Sequence, residues 1–194
     1  MKPTIIIDTR EQTPWTFSRF PTECGTLPTG DYSIKGLTRL IVVERKSLPD
    51  LLGCIGHDRE RFTAELQRLR GYRFRLVIIE GTAGLITAGH DWCQLCGGKG
   101  RISDGLILLR HGRKCPQCEG KRTLPWRSKI KPNHVFGALA SWTGKYEIGF
   151  WPGGMRADCA DFAERFLANA AETIARERAV ADEVVARMAE GDEG

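Results

Sequence analysis

The sequence predicts an α/β domain: a central mixed sheet flanked by helices, with a small zinc-ribbon-like module inserted and a long helix near the C-terminal end. Three observations lead there. Apolar runs at Thr4-Ile5-Ile6-Ile7, Leu40-Ile41-Val42-Val43 and Phe74-Arg75-Leu76-Val77-Ile78-Ile79 have the length and β-branched content of buried strands. Between and after them, apolar residues recur every three or four positions, the period of a helix with one buried face. Cys93, Cys96, Cys115 and Cys118 form two tight pairs inside a basic stretch.

The 194 residues suit one domain with a small insert, and 41% hydrophobic with 27% charged residues is the balance of a globular chain. No run is long enough to span a bilayer, and Met1-Lys2-Pro3 enters a strand without a signal-peptide apolar region. A cytoplasmic protein with no membrane partner is expected.

The first strand, residues 4–7, leads into Asp8-Thr9-Arg10-Glu11. Residues 12–30, rich in Pro, Thr and Gly, read as a connecting loop. A hairpin over 31–45 turns at Lys35-Gly36. Ser47-Leu48-Pro49-Asp50 has the order of a helix start, with Ser47 as cap and Asp50 three residues on. Leu48, Leu51, Leu52 and Ile55 give that helix its apolar side, and Gly56 ends it. A second helix runs from about Asp58 to Arg70 with Phe62, Leu66 and Leu69 buried, and Arg59 on the same stripe. The strand 74–80 ends in Glu80-Gly81. Pro132-Asn133 opens a helix carrying Val135, Leu139 and Trp142, and 147–151 forms the last strand. From Ala157 to about Ala189 the chain is helical, with Phe162, Phe166, Ala170 and Ile174 at spacings of four.

Glu44-Arg45-Lys46 closes the second strand. An acid and a lysine two residues apart on a strand share a face, and the hairpin brings Asp31, thirteen positions earlier, toward Glu44. Two carboxylates and an ammonium at one sheet edge are the equipment of metal-assisted phosphodiester hydrolysis. Each residue also has a plainer use. Glu44 and Lys46 suit an exposed strand pair, Asp50 a capping box, and Arg59 a side chain reaching to solvent.

Taken together, Ile7-Asp8-Thr9-Arg10-Glu11, Gly30-Asp31-Tyr32 and Glu44-Arg45-Lys46-Ser47-Leu48-Pro49-Asp50 resemble the XPF-type (ERCC-type) structure-specific nuclease domain. Its signature is Gly-Asp, a variable gap, Glu-Arg-Lys, three residues and Asp. His57-Asp58-Arg59-Glu60-Arg61-Phe62, the strand ending Glu80-Gly81 and Lys131-Pro132-Asn133-His134-Val135 resemble the segments that come after this signature in the family. The resemblance covers roughly residues 4–88 and 128–168. It implies a restriction-endonuclease-like core that cuts flaps, forks or junctions with Mg²⁺ or Mn²⁺, in recombination, repair or replication. It further implies that Asp8, Glu11, Asp31 and Glu44 surround the metal and that Lys46 positions or activates the attacking water. Arg45, Asp50 and Arg59 would support the site or contact phosphate. The family pairs its nuclease domains, so a homodimer is a candidate assembly; the 162–174 stripe would serve it or close the chain's own core.

The cysteines read C-x2-C-x18-C-x2-C, the spacing of a closed structural Zn²⁺ site, and each pair is followed by glycine. His90 and His111 lie nearby but four thiolates already complete the shell. Ile107-Leu108-Leu109 is the candidate small core between the knuckles. The expected organisation is a nuclease domain over 1–88 and 128–190, interrupted by a zinc-binding module over 89–127.

Net charge is +5, but residues 89–131 alone hold ten Lys/Arg against three Asp/Glu. A basic segment in a near-neutral chain points to an anionic partner, nucleic acid first. These 194 residues carry no sign of the tandem helix-hairpin-helix region that usually follows such domains in the family. Arg101, Arg110, Arg113, Lys114, Lys121, Arg122 and Arg127 are therefore expected to contact phosphates of branched DNA in its place. Trp92 and Trp126, flanking the module, pack where it joins the domain or stack on bases. The competing readings are a catalytically silent DNA-binding adaptor working through the module, and a module that docks on a protein.

Overall fold

The computed structural model of the chain describes residues 2–102 and 112–191. In order these give β1 (Ile5–Asp8), β2 (Thr22–Gly25), β3 (Tyr32–Ile34), β4 (Ile41–Ser47), α1 (Leu48–Ile55), α2 (Arg59–Leu69), β5 (Phe74–Glu80) and α3 (Ala83–Ala88). Next come β6 (His90–Trp92), β7 (Arg101–Ile102), β8 (Arg113–Lys114), β9 (Thr123–Pro125), α4 (Pro132–Tyr146), β10 (Gly149–Pro152) and α5 (Arg156–Gly191).

Six strands form one sheet in the order β10-β5-β4-β3-β1-β2. β4, β5 and β10 are mutually parallel, whereas β3 runs antiparallel to both β1 and β4. This is the mixed sheet the sequence predicts. Parallel neighbours require crossovers; α1 and α2 supply the first, and α3 through α4 the second. The four-cysteine module is inserted in that second crossover.

Strand alternation divides the core. Val42, Val77 and Ile79 lie beneath the helices α1, α2, α3 and α4, with Phe62, Leu66 and Trp142. Ile41, Val43, Leu76 and Ile78 face the other way, against α5 and the aromatic loop of Trp15, Phe17 and Phe20. Glu164 on α5 is buried and accepts the backbone N–H groups of Arg19 and Phe20 at 2.7 and 3.0 Å, fastening that loop to the helix. On α5 the fully buried line is Cys159, Ala163, Leu167, Ala170 and Ile174, with Phe162 and Phe166 half-buried beside it. The predicted stripe thus closes the chain's own core. Beyond Glu177, which pairs with Arg73, the helix exposes Val180, Val184, Val185 and Met188.

Two elements depart from expectation. Thr22–Gly25 lies within the expected loop yet pairs with β1 in parallel as an edge strand. Its side chains are largely exposed, so nothing apolar marks it in the sequence. α3 is a single capped turn and a half, with the Leu85 N–H donating to Thr82 Oγ1 at 3.1 Å.

In the module, β6 pairs with β9 and β7 with β8. Trp92 and Trp126 are half-buried against the body of the domain, as packing residues. The expected core Ile107-Leu108-Leu109, together with Arg110 and His111, lies outside the described residues. No helix among the described residues is long and apolar enough to cross a membrane.

Candidate active site and four-cysteine centre

Gly30 sets the geometry of the acid pair. Its φ of +77° is left-handed, and a Cβ there would collide with Val42 and stand 3.1 Å from the Val43 carbonyl. That close approach lets the Asp31 N–H donate to Val43 O at 2.9 Å and Asp31 Oδ2 accept the Arg45 N–H at 2.7 Å. Asp31 is thereby tied to the strand that carries Glu44. Glu44 and Lys46 project together toward α2, where the ammonium donates to Glu44 Oε1, lies 3.5 Å from Glu65 Oε2 and sits 5.0 Å from the Phe62 ring centroid.

Of these groups, Asp31, Glu44 and Glu65 line a cavity of ≈ 200 Å³ together with Asp8, Arg10 and Arg68, and Lys46 lies behind it, against Glu44 and Glu65. Burial, reinforced by Glu11 and Glu65, pushes the Asp31 carboxyl up to about 6 against the pull of the Arg45 N–H and Lys46. Burial and the neighbouring Asp31 push Glu44 well above the ordinary carboxylate range. Burial alone would lower Lys46; the Glu44 and Glu65 charges outweigh it and hold the ammonium above the usual lysine value. Lys46 is therefore a cation, and Asp31, Glu44 and Glu65 share it.

The other expected residues are placed less centrally. Asp8 lines the cavity, but Arg10 holds it through Nε–Oδ1 and Nη2–Oδ2 contacts of 2.6 and 3.2 Å, and the Leu27 N–H donates to Oδ2 at 2.6 Å. Although burial opposes it, these bonds keep the Asp8 carboxyl below its ordinary value. Glu11 accepts from Thr13 and faces Arg45 at 3.4 Å instead of lining the cavity. Arg45 projects to the opposite face of the sheet from Glu44, and clamps Glu80 through Nε–Oε1 and Nη2–Oε2 bonds of 2.7 and 3.0 Å. Asp50 is a capping acid: its N–H donates to Ser47 Oγ at 3.2 Å, and the Ser47 hydroxyl donates to Asp50 Oδ2 at 2.7 Å. Arg59 lies 5.9 Å from the Trp142 ring, between α2 and α4, and does not line the cavity.

Three residues received no site role from the sequence. Glu65 and Arg68 come into the cavity from α2, one turn apart. Glu80 is a buried hub that also accepts from Trp15 Nε1 at 2.7 Å and Arg156 Nη1 at 2.9 Å. Their one signal is an acid or base bordering a buried helical stripe or ending an apolar strand, which solvent-facing residues share.

In the module the four Sγ atoms all lie within 4.8 Å of one another, and the Cys93–Cys115 and Cys96–Cys118 sulfurs are each 3.7 Å apart. Four thiolates at about 2.3 Å from a tetrahedral ion stand about 3.8 Å apart, so the cluster is compatible with zinc. Gly97 and Gly98 adopt positive φ beside it, and the Gly100 N–H donates to Cys96 Sγ at 3.2 Å. His90 is turned away, with Nδ1 3.3 Å from Thr123 Oγ1. Among the described residues the cysteines are the one group of three or more potential ligands this close; the acids of the cavity stand farther apart. Arg101, Arg113, Lys114, Lys121, Arg122 and Arg127 are exposed, and Arg110 lies outside the described residues.

Comparison with known proteins agrees with this arrangement. The ERCC4 domain model matches residues 7–166. Among solved structures, XPF from Aeropyrum pernix superposes with a TM-score of 0.56 at 17% identity, over 91% of this chain and 69% of that one. XPF from Aeropyrum pernix in complex with DNA gives 0.55 at 18% identity, over 89% and 66%. No match is found among curated proteins. With its six-stranded mixed sheet and the Asp31, Glu44 and Lys46 cluster on it, the chain shares the fold of XPF and belongs to the ERCC4 domain family.

Proposed function

We propose that the protein is a divalent-metal-dependent DNA endonuclease that hydrolyses phosphodiesters at branched DNA. The observation that supports it most directly is the cavity lined by Asp31, Glu44 and Glu65, with the Lys46 ammonium paired to the two glutamates and Asp8 matched by Arg10. The donors there are all carboxylate oxygens, which suit Mg²⁺ or Mn²⁺ and not a soft metal. Asp31 and Glu44 are the residues to hold the ion, which when bound supplies positive charge to the phosphate and a more acidic water.

The chain's own groups do the rest. The Arg45 N–H fixes the Asp31 carboxylate, leaving Oδ1 free for the site. Lys46, kept protonated by its two acids, orients water or a phosphate oxygen as a hydrogen-bond donor; it is not the base that removes the proton. Arg68 offers a guanidinium to a phosphate oxygen at the same cavity. The four cysteines hold Zn²⁺ as a structural ion that folds the module, and the module adds phosphate contacts.

The test is cleavage of end-labelled flap, fork, four-way junction and linear duplex in Mg²⁺ or Mn²⁺, with K46A and D31N as controls. Metal-dependent cutting concentrated on branched substrates and lost in both variants is expected. Retained cutting by pure D31N would sink the assignment, and binding without cutting would favour the adaptor.

A further inference from the structure

Between the module and the nuclease body runs a groove of ≈ 1810 Å³, well beyond the roughly 1,000 Å³ upper range of small-molecule sites. One wall is the module: Trp92, Lys99 and the extended segment 124–130. The other is α1 and the first turn of α4, ending at Arg45 and Glu80. Trp126 and Ile130 turn inward onto the core, which leaves Arg127 and Lys129 exposed between them.

The charges along this groove are unequal in their freedom. Lys99, Arg127 and Lys129 have no ion-pair partner among the described residues. Of the lining acids, Glu80 is paired with Arg45 and Arg156, whereas Asp50, Asp91 and Asp158 keep their charge and accept hydrogen bonds from Ser47, the Trp92 N–H and the Met155 N–H. The module wall is therefore the cationic side, with Lys99, Arg127 and Lys129 against Asp91, above a floor that includes Leu124, Pro125 and Trp126. A duplex offers such a surface its phosphates only, because its bases are stacked inside. A single strand offers phosphates to the cations and base faces to the apolar floor.

We propose that this groove binds a single DNA strand and leads it to the C-terminal end of β4. The inference rests on the nuclease reading above and narrows it. Arg45 links the two places, since its side chain lines the groove while its N–H holds Asp31 at the acid cavity. Of the six described module cations read from the sequence, only Arg127 lines the groove; Lys99 and Lys129 are the additions.

The test is fluorescence anisotropy of a labelled oligothymidine and of a labelled duplex with the zinc-loaded full chain, without added Mg²⁺ or Mn²⁺. R127E/K129E is compared with R39E/R178E, an equal charge change at exposed residues outside the groove. The groove variant is expected to bind single strand at least tenfold more weakly, with the salt slope reduced by about 1.4 for two lost contacts, and to lose less than threefold on duplex. The milder R127Q/K129Q, with zinc content and circular dichroism unchanged, guards against misfolding and should move in the same direction. Equal weakening in the groove and control variants, or equal loss on duplex and single strand, overturns the proposal. If the wild-type chain binds DNA and the groove variant binds as well, the groove fails alone; if the wild type binds no DNA, the nuclease reading fails with it.

Discussion

Lys46 owes its role to two carboxylates from different elements: Glu44 beside it on β4 and Glu65 across from it on α2. The first was legible in the sequence because a strand's period of two puts Glu44 and Lys46 on one face. The second was not, because only the packing of α2 on the sheet brings Glu65 there. E65Q is expected to weaken Mn²⁺ binding about tenfold, in the range for groups that tune a metal site, while leaving the fold intact. Titration calorimetry checks this, and unchanged affinity with lost activity would instead assign Glu65 to Lys46 alone. K46A should lower cutting by about 10²–10³-fold, the usual worth of a placed hydrogen-bond donor at developing charge. R59A, whose guanidinium lies on Trp142, should cut within a few-fold of wild type in the same assay. Asp31 gives a signed pH effect. Its carboxyl is raised from 3.8 to about 6 in the folded protein, so its contribution to stability is present below the lower value and lost as pH rises through the upper one. Melts of metal-free protein from pH 4 to 7 should show that decline, and D31N should flatten it.

At the scale of elements, local chemistry reported α1, α2 and α4 faithfully. Ser47 caps α1 through the Asp50 N–H, Pro49 lies in its first turn, and Phe62, Leu66 and Leu69 mark the buried side of α2. β2 was invisible because an exposed Thr-Glu-Cys-Gly edge strand has no apolar pattern to betray it. The Gly30 turn is the most sensitive joint, since it brings Asp31 against β4. G30A places a Cβ at positive φ and into Val42, costing on the order of 2 kcal/mol or more; urea unfolding would read that loss, and a cost near zero would show that the turn can relax. The module answers to a different bond. With its thiolates drawn round one centre, C115S should abolish stoichiometric zinc and make residues 93–125 protease-sensitive, while the main melting transition, set by the six-stranded sheet, stays in place.

The whole molecule is held by two faces of unequal cover. Four helices close one side of the sheet, whereas α5 and the loop tied to its Glu164 close the other. The charge pattern hinted at a divided chain, basic over 89–131 and acidic from Ala157 onward, but not that the acidic helix is in part a core element. Spacing by four suggested Phe162, Phe166, Ala170 and Ile174 as the buried line, and the last two are on it. The actual line runs through the smaller Cys159, Ala163, Leu167, Ala170 and Ile174, because small residues let the helix lie close on β4 and β5. The first half of α5 therefore belongs to the core and the second half stands free of it, with Glu177 paired to Arg73 at the boundary. Deleting residues 179–194 removes exposed side chains among those described and should leave the melting temperature within about 2 °C, the shift expected for changes of a few tenths of a kcal/mol. Deleting from Leu167 onward also removes Leu167 and Ile174, each worth about 2–5 kcal/mol in a core. Set against a total stability of about 5–15 kcal/mol, that loss should prevent cooperative folding. Paired thermal melts of the two truncations decide it; a large drop in the shorter deletion would mean that the exposed valines and Met188 are covered in solution.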